Sequence, residues 1–114
     1  MIVKGVVKDG NKKGREHGFP TANISNDGVA IGIYAGKVFA LDKYYKAAVY
    51  VGTPRPDVLE AHLLDFAGDL YGRVIEVTIL NKLRDDFFET DNEKLRLMIE
   101  KDVAFIKESV NLDK

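Results

Sequence analysis

The spacing of apolar residues changes period once along the chain. Over roughly the first two thirds, apolar residues come in short runs separated by Gly, Asn, Asp and Pro, the mark of strands and turns. In the last third they recur at helical spacing. Residues 2–7 are predicted as a strand, with a turn at Asp9-Gly10-Asn11. Residues 33–41 and 44–51 are predicted as a hairpin turning at Asp42-Lys43. Residues 58–66 and 73–80 are predicted as a second hairpin, joined through Gly68-Asp69-Leu70-Tyr71-Gly72. Residues 10–32 carry many Gly and little periodicity and read as one long loop. A loop of that length in a compact domain usually serves a function.

Alternation assigns faces within these strands. Leu59, Ala61 and Leu63 share one side of their strand, and Glu60 and His62 share the other; Ile75, Val77 and Ile79 form a second apolar row. Near the end, Thr90-Asp91-Asn92-Glu93 has the form of a capping box, with Thr90 as N-cap and Glu93 reaching back. Leu95, Met98, Ile99, Val103, Ile106 and Val110 then trace an apolar stripe, so one amphipathic helix is expected to lie on a face or end of the sheet. Four or more antiparallel strands and one helix in this length point to a small closed barrel, because closure removes exposed strand edges.

Bulk properties narrow the function classes. The chain has 114 residues, so a single domain, 1–114, is expected. A net charge of −1 argues against a general nucleic-acid binder, while leaving room for a small anionic ligand held by a few local cations. The absence of Cys excludes disulfides, thiolate metal sites and Cys nucleophiles, and fits a reducing cytosol. There is no secretory-type leader and no apolar run near the ~20 residues a membrane span requires. A cytoplasmic protein without a membrane partner is the expectation.

Four stretches carry candidate chemistry. Gly10, Gly14 and Gly18 recur every four residues with Lys12, Lys13 and Arg15 between them. Such a loop is either a solvated turn or a cradle of backbone N–H groups and cations for an anion. It is not a Walker A loop, because no Gly-Lys-Ser/Thr follows. Next, Phe19-Pro20-Thr21-Ala22-Asn23 is extended at Pro20, so Thr21 and Asn23 point the same way. Their neutral oxygens either bond local backbone or hold a Mg²⁺ that arrives with phosphate oxygens. Finally, Glu60 either faces solvent or serves as a general base, with His62 orienting it or merely packing. Arg84 either reaches a ligand or pairs with Asp85, Asp86 or Glu89.

Taken together, Gly10…Gly14-Arg15…Gly18-Phe19-Pro20-Thr21-Ala22-Asn23, Gly32-Ile33-Tyr34-Ala35, Glu60-Ala61-His62-Leu63-Leu64-Asp65-Phe66, Asp69-Leu70-Tyr71-Gly72, Leu83-Arg84 and Ile99-Glu100-Lys101-Asp102 resemble the riboflavin kinase (flavokinase) family over nearly the whole chain. The resemblance implies a mainly β fold, a six-stranded antiparallel Greek-key barrel with a C-terminal α-helix. It implies transfer of the ATP γ-phosphate to the 5′-hydroxyl of riboflavin, giving FMN and ADP with Mg²⁺. Glu60 would be the catalytic base. Gly10, Lys13, Gly14, Arg15, Gly18, Pro20 and Thr21 would bind the nucleotide. Thr21 and Asn23 would hold the metal, and Arg84 and Phe88 would contact flavin. A monomer is expected, without the adenylyltransferase domain that usually accompanies this one in bacteria.

The chain departs from the family between Gly52 and Glu60. Val51-Gly52-Thr53-Pro54-Arg55-Pro56-Asp57-Val58-Leu59 lacks most of a flap that carries Arg-Pro-Thr-Phe or Asn-Pro-Thr-Phe. Flaps exclude water and complete sites. A catalytically weak flavin- or nucleotide-binding module is therefore the alternative expectation, and a kinase of another alcohol or nucleotide a third.

Overall fold

A computed structural model of the protein describes residues 1–8, 21–52, 55–85 and 92–112. These form strands β1 (Ile2–Val6), β2 (Thr21–Ser25), β3 (Gly32–Ala40), β4 (Lys43–Gly52), β5 (Arg55–Leu63) and β6 (Val74–Arg84), followed by helix α1 (Asn92–Ser109). The strands make one antiparallel sheet in the order β1-β6-β3-β4-β5-β2. β3, β4 and β5 follow one another as a meander, and β6 returns beside β3, which is Greek-key order. The two outer strands meet where the Lys8 N–H donates to the Asn23 carbonyl at 2.8 Å and Lys8 Nζ donates to Ser25 Oγ at 2.8 Å. The sheet is thus a nearly closed six-stranded barrel with one C-terminal helix, as the family resemblance implies.

Alternation fills the interior. Ile24, Val38, Val49, Leu59, Leu63, Ile75 and Val77 are the largest side chains sealed within the barrel. Each contributes about 1.5–3 kcal/mol by leaving water. α1 lies against the outside. Ile99, Val103 and Ile106, with Val110 just beyond, pack on Ala35, Ala48 and Leu64. Ala35 and Ala48 are register partners, and their small side chains leave room for the helix to sit close. Lys46 Nζ donates to the Lys107 carbonyl at 2.6 Å, a cation placed at the negative end of the helix.

Several expectations need correction. The second hairpin does not exist: β5 pairs with β4 and β2, and β6 pairs with β3 and β1. Alternation defines faces but not partners, and the Greek-key return separates two strands adjacent in sequence. The stretch read as one loop contains β2, whose short Thr-Ala-Asn-Ile-Ser run is too brief to declare a period. The first hairpin turns at Leu41-Asp42, not Asp42-Lys43; both residues have positive φ, 51° and 64°, as a two-residue type I′ turn requires. Arg84 is the last residue of β6 rather than a residue after it. The turn at residues 69–72 is as expected: the Tyr71 N–H donates to Asp69 Oδ1 at 2.9 Å, and Leu70 plugs the core. Thr90 of the capping box lies outside the described residues.

Candidate active site

One row of register partners crosses five strands of the barrel. Arg84 on β6 pairs with Ile33 on β3, Ile33 with Tyr50 on β4, Tyr50 with Glu60 on β5, and Glu60 with Asn23 on β2. Register partners project to the same side of a sheet. The row therefore lies on the outer face, opposite the barrel core that holds Leu59 and Ala61. It starts beside α1 and ends at β2.

Glu60 and Asn23 are direct neighbours across the β5–β2 ladder, as are His62 and Thr21. Four of the residues singled out in the sequence thus form one block. Its members are held differently. Asn23 is buried, at 2% exposure, and so is His62. Glu60 keeps partial exposure, its side chain at 21%. His62 Nε2 lies 3.0 Å from Glu60 Oε1, a spacing that i, i+2 residues on one strand face permit. The His62 ring meets the Tyr50 ring edge-on, with centroids 4.6 Å apart. His62 therefore both orients Glu60 and packs.

Of the surface partners named for Arg84, Asp86 and Glu89 lie outside the described residues, and Asp85 is taken by another cation. Asp85 accepts from Lys82 at 2.9 Å, a bond that raises the Lys82 pKa. Arg84 Nη2 donates instead to Asp102 Oδ1 at 3.1 Å, tying the end of β6 to α1. Asp102 is buried within the apolar side of the helix, one residue from Val103. Gly32 lets this end of the sheet close up: a Cβ there would stand 2.8 Å from the Arg84 carbonyl oxygen, and its φ of 158° is one that side chains rarely adopt.

Two members of the site escaped the sequence reading. Asp102 had a signal, since a lone carboxylate at positions shared with Ile99, Val103 and Ile106 must find a partner when buried. Tyr50 had only its parity with Glu60, unreadable before the β4–β5 register was known. Its phenol is pushed far above the usual tyrosine range, first by burial, then by the negative charges of Asp102 and Glu60, with Arg84 opposing.

Thr21 and Asn23 are candidate metal donors by their chemistry. Among the described residues no cluster of three or more acidic or His side chains could hold a cation by itself. Thr21 and Asn23 supply neutral oxygens from one face of β2, next to His62 and Glu60. That set fits a divalent cation that carries anionic oxygens of its own. Gly10, Lys13, Gly14, Arg15, Gly18, Pro20 and Phe88 lie outside the described residues. Among the described residues, no helix is long and apolar enough to cross a membrane.

Comparison with known proteins sets this geometry in context. A family model described as Flavokinase, riboflavin kinase, matches residues 1–110. The bifunctional riboflavin kinase/FMN adenylyltransferase of Escherichia coli K12 is 36% identical over 124 aligned positions, covering 100% of this chain and 39% of that protein. This chain thus spans about two fifths of the length of the bifunctional curated relatives it matches. Among solved structures, a macrolide-efflux protein from Streptococcus pneumoniae superposes with TM-score 0.81 at 25% identity, over 96% of this chain and 37% of that one. Riboflavin kinase from Trypanosoma brucei superposes with TM-score 0.65 at 24% identity, over 94% of this chain and 77% of that one, a likeness of fold.

Proposed function

The chain belongs to the riboflavin kinase family, and from that premise we propose that it transfers the γ-phosphate of ATP to the 5′-hydroxyl of riboflavin, forming FMN and ADP. The observation that carries this reading is the placement of Glu60 directly opposite Asn23 on one face of the barrel. A proton acceptor and a phosphate–metal position must be neighbours if the attacking hydroxyl is to meet the γ-phosphorus.

In this reading Glu60 accepts the proton of the 5′-hydroxyl as that oxygen bonds to phosphorus and the bridging oxygen leaves with ADP. Such transfer depends mostly on positioning and charge neutralisation, with a smaller gain from the base. His62 holds the Glu60 carboxylate in one orientation. Thr21 and Asn23 would hold Mg²⁺ beside the phosphates, where the cation supplies charge neutralisation. The loop from Gly10 to Gly18, with Lys13 and Arg15, would wrap the nucleotide phosphates, and Pro20 would set its exit. Arg84 and Phe88 would meet the flavin. The unit works as one domain, a monomer in the cytoplasm, needing no nucleic-acid partner.

A second reading rests on the β4–β5 connection. Gly52 and Arg55 are register partners, so only residues 53–54 separate the two strands. With so short a flap, water is less well excluded and the protein binds flavin or nucleotide with weak turnover. Incubation with riboflavin, ATP and Mg²⁺ separates the two: FMN accumulation supports the kinase, and tight flavin binding without FMN supports the module.

A further inference from the structure

Tyr50 occupies the middle of the register row, between Glu60 and the strand that ends in Arg84. Its ring is fixed against His62. Its hydroxyl oxygen is buried and has no hydrogen-bond partner among the described residues. A buried hydroxyl left without a partner costs roughly 1–3 kcal/mol. Glu60, Arg84 and Asp102 all lie within electrostatic reach of it, and none of them bonds to it. Glu60 is held by His62, and Arg84 by Asp102. The charged groups around Tyr50 are thus tied in pairs, with Arg84 Nε and His62 Nδ1 buried and unbonded, and the phenol stands between the pairs.

We propose that the Tyr50 hydroxyl is a specificity-determining contact for the polyol chain of the acceptor substrate. The inference rests on the kinase reading above for the identity of that substrate. If the reacting hydroxyl sits at Glu60 and the ring system toward Arg84, the chain joining them must cross β4 at Tyr50. From β5 to β6 is three strand spacings, about 14 Å, and Tyr50 is one spacing from Glu60. The raised pKa keeps the phenol protonated at working pH, so it can donate to one substrate hydroxyl and accept from another. A site built to bond a hydroxyl discriminates strongly against an analogue that lacks it.

The test compares wild type with Tyr50→Phe by fluorescence titration of two flavins. One is riboflavin; the other is lumiflavin, which has the same ring and a methyl group in place of the polyol. The expected result is riboflavin binding weakened about tenfold by loss of one hydrogen bond, with lumiflavin binding unchanged. A thermal melt no lower than wild type accompanies it, because the variant removes a buried hydroxyl that the free protein leaves unpaired. Riboflavin binding unaltered by the substitution overturns the inference while leaving the kinase reading standing. Equal weakening of both flavins also overturns it, since the contact is then with the ring or the fold. Wild-type protein that binds neither flavin and forms no FMN defeats the kinase reading, and this inference with it.

Discussion

Glu60 and His62 stand two residues apart on β5 and bring Oε1 and Nε2 to 3.0 Å, on the face turned away from the barrel core. Strand alternation alone creates this pair: with any odd spacing the ring would enter the core and the carboxylate would stand alone. The pair fixes the rotamer of a half-exposed carboxylate that would otherwise sample several.

His62→Ala is expected to lower kcat about tenfold, the worth of one orienting hydrogen bond, and to leave the KM for ATP unchanged. His62→Gln, which keeps a donor near the same place, is expected to recover most of the loss. Steady-state kinetics on the three proteins checks this. A direct proton-transfer role for His62 requires instead that Gln be as impaired as Ala.

The Arg84–Asp102 pair should respond asymmetrically to truncation. Asp102 is nearly sealed, while the Arg84 side chain is 36% exposed. Arg84→Ala strands a buried carboxylate and is expected to cost about 2–3 kcal/mol, below the range for a fully buried pair because solvent screens part of it. Asp102→Asn leaves an arginine that can turn toward water and is expected to cost about 1 kcal/mol. Urea denaturation of the two variants gives the order.

Tyr50 makes the fold sensitive to alkali. Its folded pKa is raised above the ordinary value of 10.0. Below that pH both folded and unfolded chains keep the phenolic proton. Above it the unfolded chain ionises first, so stability is lost as pH rises toward the folded pKa. Unfolding midpoints measured from pH 9 to 11 should fall more steeply for wild type than for Tyr50→Phe, by up to one proton. Identical slopes contradict the assignment of burial as the cause.

The candidate site was more legible in the sequence than the topology that assembles it. Glu60 with His62, and Thr21 with Asn23, could be assigned to common faces because a two-residue period is local. What brings Glu60 to Asn23 is the β5–β2 ladder, and nothing local states that β2 passes over the neighbouring sequence to reach β5. The same limit explains the false hairpin between residues 58–66 and 73–80. Tyr50 and Asp102 were missed because their roles arise from β4–β5 register and helix docking, both long-range. The helix itself was readable, because its stripe from Ile99 to Val110 is a local signal.

The central claim, that Glu60 beside Asn23 is the catalytic base of a riboflavin kinase, is tested most directly by following FMN formation from riboflavin, ATP and Mg²⁺ with wild type and Glu60→Gln side by side. The expected result is FMN from wild type and a rate lower by roughly 10²-fold in the variant, with its fold and flavin binding retained. No FMN from well-folded wild type, or equal rates for the two proteins, contradicts it.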